Sequence, residues 1–313
     1  MNHSSNLKKN SLADAARQFA CAILLMAPMA ALAGTPINET RAVDADARID
    51  VSNVKGSVTV SAWDKSEVVI TGSLGEGSKG LTVDGDHGHL RIKVESPDSH
   101  GWFNWGGDSR MGDTTLDVKV PHAAELKIEV VSADVGVTGL DGRLLDIETV
   151  SGKLRVDTQV KELQIDSVSG SAEVTGSAQN AHIETVSGDI RARGLGGRLK
   201  FETVSGDIGV EAGTYSELSA GTVSGSIDLR GNPQPGATIT VDSMSGDAHL
   251  SLPADASARV HAETFSGQIR SDFGKVDSEG YGPGRSLDVN IGNKDGRVSL
   301  ETFSGDIEIR RQP

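Results

Sequence analysis

The sequence predicts an all-β protein: a right-handed parallel β-solenoid (β-helix) with rungs of about 18–21 residues and a β-region at its N-terminal end. Three observations predict it. A heptad recurs, as "ETVSGDI" at 184–190 and again at 202–208, with near-copies starting at Glu148, Asp166, Gly221, Asp242, Glu263 and Glu301. Its glycine keeps a period. Gly152, Gly170, Gly188, Gly206, Gly225, Gly246, Gly267 and Gly305 lie 18 to 21 residues apart, except for a last step of 38, which reads as two periods of 19. Finally, apolar residues alternate around the marker, as in Leu145, Ile147 and Leu154 or Leu163, Ile165 and Ala172. A spacing of two means strands with one buried face, so each unit holds two short strands joined at a Ser-Gly corner.

The chain opens with a basic start (Lys8, Lys9, Arg17), an apolar run from Phe19 and the small-residue pattern Ala31-Leu32-Ala33. Residues 1–33 therefore read as a secretory signal peptide, too short for a comfortable membrane span. The only cysteine, Cys21, lies inside this segment, ahead of most of the apolar run. The mature chain is thus expected to have no disulfide, no thiol chemistry and no cysteine metal site. Export follows, with the periplasm as the default location and the cell surface or medium as the alternatives.

Residues 34–44 read as a flexible leader, and 45–313 as one repeat domain. Its first part carries "RIDV", "GSVTV" and "EVVITG", then a hairpin around "LTVDGDHGHLRIKV". The formal net charge of −14 becomes more negative once Lys8, Lys9 and Arg17 leave with only Asp14. Such a surface repels nucleic acid and anionic lipid and favours cationic partners.

An insertion at about 96–114 contains Trp102, Phe103 and Trp105, in a chain that is only 4% aromatic. These rings either cap the open end of the stack or bind a partner from a loop. Both readings stay open.

Within the repeats, the corner glycine is expected to supply positive φ, and the Thr or Ser three residues before it to hydrogen-bond corner backbone. Stacked units then bury a continuous core that no unit has alone. Four copies follow the glycine with Asp (Asp189, Asp207, Asp247, Asp306), but Lys153 stands in the same column, which argues for a structural corner and against calcium. Four residues before the marker stand Glu129, Glu148, Asp166, Glu184, Glu202, Gly221, Asp242, Glu263 and Glu301. Alternation points this column outward. Neighbouring carboxylates repel by a little under about 1 kcal/mol in water. Either basic residues such as Lys127, Lys200 and Arg155 offset the row, or it is an anionic strip for cations or a cationic peptide.

The run "LxIxTVSGDIxV", with "VKVP" at 118–121 before it, resembles the bacterial β-strand-repeat family called "putative adhesin", a domain of unknown function, over about 47–309. The resemblance implies an exported repetitive β-protein without established catalytic residues. The chain departs from the pattern at Ala133, in the insertion, and in the Gly-rich stretch 272–286.

No nucleophilic triad, phosphate loop or isolated carboxylate pair stands out. The histidines (His87, His89, His100, His122, His182, His249, His261) are scattered, with no third ligand in view for a zinc site. The expectation is a non-enzymatic envelope protein, a binding or adhesin-like scaffold without cofactor or metal. Its partner would be an envelope component or cationic ligand, with self-association through the solenoid ends. Two alternatives are a polysaccharide-active β-helix enzyme, which needs a localised acid/base or metal cluster, and an envelope-stress component that senses cationic agents.

Overall fold

The computed structural model describes residues 34–97, 111–276 and 284–312. Residues 1–33, expected as a signal peptide, and the aromatic cluster Trp102, Phe103 and Trp105 lie outside them. Among the described residues every regular element is a strand and none is a helix.

In the middle of the chain each heptad builds one rung from two strands. The Gly152 rung uses Leu144–Ser151 and Leu154–Gln159, and the Gly170 rung uses Glu162–Ser169 and Ala172–Ser177. Equivalent residues pair in parallel across rungs, Leu145 with Leu163 and Leu154 with Ala172. Two ladders therefore run along the stack, one on each side of the Ser-Gly corner. Alternation sends Leu126, Ile128, Leu145, Ile147 and Leu154 inward, all at most 1% exposed. Each such side chain contributes roughly 1.5–3 kcal/mol on full burial.

The order of rungs departs from the order of the sequence at both ends. The first repeat, Arg48–Trp63, lies between Glu125–Thr138 on one side and the strands His89–Glu95 and Thr114–Pro121 on the other. The last repeat (Gly296–Ser304, Ile307–Arg311) is inserted between the Gly246 rung and the Gly267 rung. Among the described residues the 38-residue step thus holds no additional heptad rung. It spans a return past the Gly267 rung, and its intervening strand Arg285–Ile291 pairs antiparallel with Ala258–Ser266.

Antiparallel strands also close the other end. Gly80–Gly85 covers His89–Glu95 as the expected hairpin, and Glu67–Leu74 covers Thr114–Pro121. Residues 34–44, expected as a flexible leader, instead contain the strand Thr35–Ala42, paired from Thr35↔Leu74 to Ala42↔Glu67. The reason is an open edge: Glu67–Leu74 has unpaired backbone groups on its outer side, and Thr35–Ala42 satisfies them.

The corner glycines are required mainly by close approach. A Cβ at Gly170, Gly188, Gly206, Gly267 or Gly305 would overlap the carbonyl oxygen of the neighbouring rung's glycine. Positive φ, the reason expected from sequence, holds at Gly152, Gly225 and Gly246 but is not general to the column.

Candidate functional site

The outward face of the first-strand ladder carries the acidic column in register. Glu129 pairs with Glu148, Glu148 with Asp166, Asp166 with Glu184, and Glu184 with Glu202. Gly221 interrupts the row, after which Asp242 follows, then Glu301, then Glu263. The stack therefore brings the whole sequence-derived row together, with its last two members exchanged by the interleaved rungs.

Compensation is uneven along this row. Lys127 reaches Glu148 at 2.7 Å and Glu129 at 3.0 Å, and Lys200 reaches Glu202 at 2.7 Å. Hydrogen bonding, to Glu148 above all, holds the Lys127 ammonium well above the ordinary lysine range. Arg155 takes no part. It lies on the second ladder, facing Glu173 at 3.9 Å. Beyond Gly221 the residues two before each acid are Thr240, Ser299 and His261, and among the described residues no Lys or Arg pairs with Asp242, Glu301 or Glu263. Burial, and then the Glu301 carboxylate, pushes Asp242 above its ordinary value.

A second row runs beside the first and was missed by the sequence reading. Val131, Val168, Val186, Val204, Val223, Met244, Phe303 and Phe265 stand two residues after the positions of this column, Val223 after Gly221 and the others after an acid, and are 42–60% exposed. The signal was present in every heptad. The Thr before this residue continues the inward alternation, so the Val, Met or Phe after it falls out of phase and faces solvent. Between the rows lies a floor of buried hydroxyl residues, including Thr185, Thr203, Thr222 and Ser243. Thr264 Oγ1 donates to the Gly305 carbonyl at 3.0 Å, as the corner chemistry predicts. The hydroxyls of Ser167, Thr185 and Thr222 have no hydrogen-bond partner among the described residues. Acid row, hydroxyl floor and apolar row together bound an open groove of about 730 Å³, from Glu184 to Phe303.

The aspartates that follow the marker position, Ala133 in the first of them and Gly in the others, act as staples. Asp134 accepts the Lys153 N–H, Asp207 that of Ser226, Asp247 that of Asp306 and Asp306 that of Gln268, each at 2.8 Å. Each of these carboxylates thus ties its rung to the backbone of the next, as a structural corner requires.

One histidine gains neighbours that spacing did not reveal. His182, Glu184 and Glu202, from adjacent rungs, place ligand atoms within 4.8 Å of one another. Lys200 already occupies Glu202 there, which opposes a bound cation.

A family model described as Toastrack DUF4097 matches residues 46–310. The chain belongs to the Toastrack DUF4097 family. No curated protein matches it in sequence. Solved structures resembling this Toastrack chain include a "putative lipid binding protein" from Parabacteroides distasonis, at 15% identity and TM-score 0.51, covering 90% of this chain and 98% of that one. A "putative adhesin" from Bacteroides fragilis matches at 14% identity and TM-score 0.44, over 88% and 97%. A "putative cell adhesion protein" from Clostridium sporogenes matches at 12% identity and TM-score 0.25, over 89% and 100%. At 15% identity the likeness to the Parabacteroides distasonis structure speaks for the fold alone.

Proposed function

We propose that the protein is an exported, non-enzymatic scaffold of the cell envelope that binds partners along the outer face of its first-strand ladder. The stack winds as a right-handed parallel β-solenoid, because parallel crossovers are overwhelmingly right-handed. The observation that carries the reading is the side-by-side register of the acidic row and the exposed apolar row. A structural surface has no need to expose a column of Val, Met and Phe, and such patches mark contact surfaces. Equal spacing along the rungs suits many weak contacts that combine by avidity. The acidic row selects cationic partners, which is also the chemistry an envelope-stress component would use. The "putative adhesin" names among proteins of similar fold agree with a binding role.

The test immobilises the protein and a Glu184→Gln/Glu202→Gln/Asp242→Asn/Glu301→Gln variant and compares the envelope material each retains at low salt. The parent is expected to retain components that rising salt releases, and the variant to lose most of them. Equal retention by both, or none by either, overturns the reading. A Trp102→Ala/Trp105→Ala variant assigns any remaining retention to the aromatic insertion. Osmotic-shock fractionation checks the periplasmic location, which fails if the protein stays with the cytoplasmic fraction.

A further inference from the structure

Past Gly221 the binding face changes character, and this end of the groove has its own chemistry. Asp242, Glu301 and Glu263 occupy consecutive positions of the ladder without a Lys or Arg partner among the described residues. In the same rungs the apolar row switches from Val to Met244, Phe303 and Phe265, 60%, 59% and 49% exposed. The two phenyl rings stack with centroids 5.0 Å apart and planes 7° from parallel. They meet only because the last rung is inserted beside the Gly267 rung, since they are 38 positions apart in sequence. Gly221 leaves a gap in the acidic row, where even an added Cβ would lie 3.9 Å from its nearest neighbour, the Glu202 side chain.

We infer that this end of the groove is a subsite for an organic cation with an apolar tail, of the alkylammonium class. Its cationic head lies against Asp242 and Glu301 and the face of Phe303 turned away from Phe265, and its tail follows Val223 and Val204. The inference rests on the reading that this face is the binding surface. Each part of the ligand has a counterpart. Uncompensated carboxylates attract the charge, and aromatic faces and methyl-rich cations attract one another electrostatically. The Val row offers apolar area to the tail. A strongly hydrated metal ion would gain nothing from the apolar row, and an anionic amphiphile would be repelled by the acidic one.

Isothermal titration of the full chain with decyltrimethylammonium, kept below its micelle concentration, tests the inference. Decyl sulfate and tetramethylammonium serve as the charge-reversed and tail-less probes. Saturable binding of about one equivalent is expected for decyltrimethylammonium, weakened roughly tenfold or more by Phe265→Ala/Phe303→Ala and equally by Asp242→Asn/Glu301→Gln. Both pairs are exposed enough for the variants to fold, which circular dichroism and a thermal melt verify. Glu129→Gln/Glu148→Gln, at the lysine-compensated end, should leave the affinity unchanged.

Three results overturn the subsite: decyl sulfate binding as tightly, the phenylalanine variant binding like the parent, or the Glu129/Glu148 variant losing as much as the Asp242/Glu301 variant. If decyltrimethylammonium does not bind while envelope material is still retained, the subsite is overturned and the scaffold reading stands. If it binds in the expected pattern while no envelope material is retained, the subsite stands alone.

Discussion

Asp306 donates its backbone N–H to the carboxylate of Asp247, 2.8 Å away and 59 positions earlier in the chain. The same bond links Ser226 to Asp207, 19 positions apart, in the regular part of the stack. One chemical device therefore joins rungs whether or not they are neighbours in sequence.

Removing a staple is expected to weaken the fold modestly. Asp207→Ala deletes the acceptor for the Ser226 N–H and should cost about 0.5–1.5 kcal/mol. Asp228→Ala, an exposed residue of the same ladder with no staple, is the control. Urea denaturation of both, with unchanged m-value, checks the difference.

Two glycines separate close approach from open space. A Cβ at Gly206 overlaps the Gly188 carbonyl, whereas one at Gly221 meets nothing closer than 3.9 Å. Gly206→Ala is expected to destabilise by roughly 1–3 kcal/mol, as overpacking does. Gly221→Ala should be neutral or stabilise by up to about 1 kcal/mol through lower unfolded-state entropy. Similar denaturation midpoints for the two variants would contradict the close-approach account.

The raised Asp242 gives a pH dependence of definite sign. A carboxyl whose folded pKa lies above its unfolded value binds more protons when folded. Stability therefore falls as pH rises from the unfolded value of 3.8 through the folded one. At neutral pH Asp242→Asn should raise the melting temperature, and the gain should vanish as pH drops towards about 4. A gain of constant size across that range would show that burial of the charge is not its origin.

The interleaved last rung makes a prediction about truncation. In a sequential stack, removing residues 285–313 would only expose the next rung. Here it removes the parallel neighbour that Ala258–Ser266 has among the described residues and its antiparallel cover as well, since both Gly296–Ser304 and Arg285–Ile291 are lost. Hydrogen exchange should find 258–271 unprotected in the truncated chain, while the rungs of Gly152 to Gly206 keep their protection. Retained protection at 258–271 would mean that the Gly246 and Gly267 rungs can pair directly.

Much of this architecture was legible because period and alternation are local properties. The heptads gave the paired strands, and the column of Glu148, Asp166, Glu184 and Glu202 could be placed on one outward face from spacing alone. Rung order was not legible. The 38-residue step between Gly267 and Gly305 fits two periods, and only three-dimensional pairing shows the chain returning to insert a rung. The strand Thr35–Ala42 was missed because it buries little besides Ile37 and exists to satisfy an edge. The exposed Val131 to Phe265 row was visible in principle, as an apolar residue out of phase in every heptad. The uncompensated end at Asp242, Glu301 and Glu263 was not, because it depends on which rungs touch.

Interleaving at both ends also bears on how such a chain can change its length over generations. Between Gly152 and Gly225 each rung touches only the copies before and after it, so a duplicated or deleted unit there leaves every other pairing intact. A unit appended to either terminus meets a repeat already enclosed by its neighbours and an edge already covered. The termini behave as fixed clasps, and the middle is where the molecule can grow.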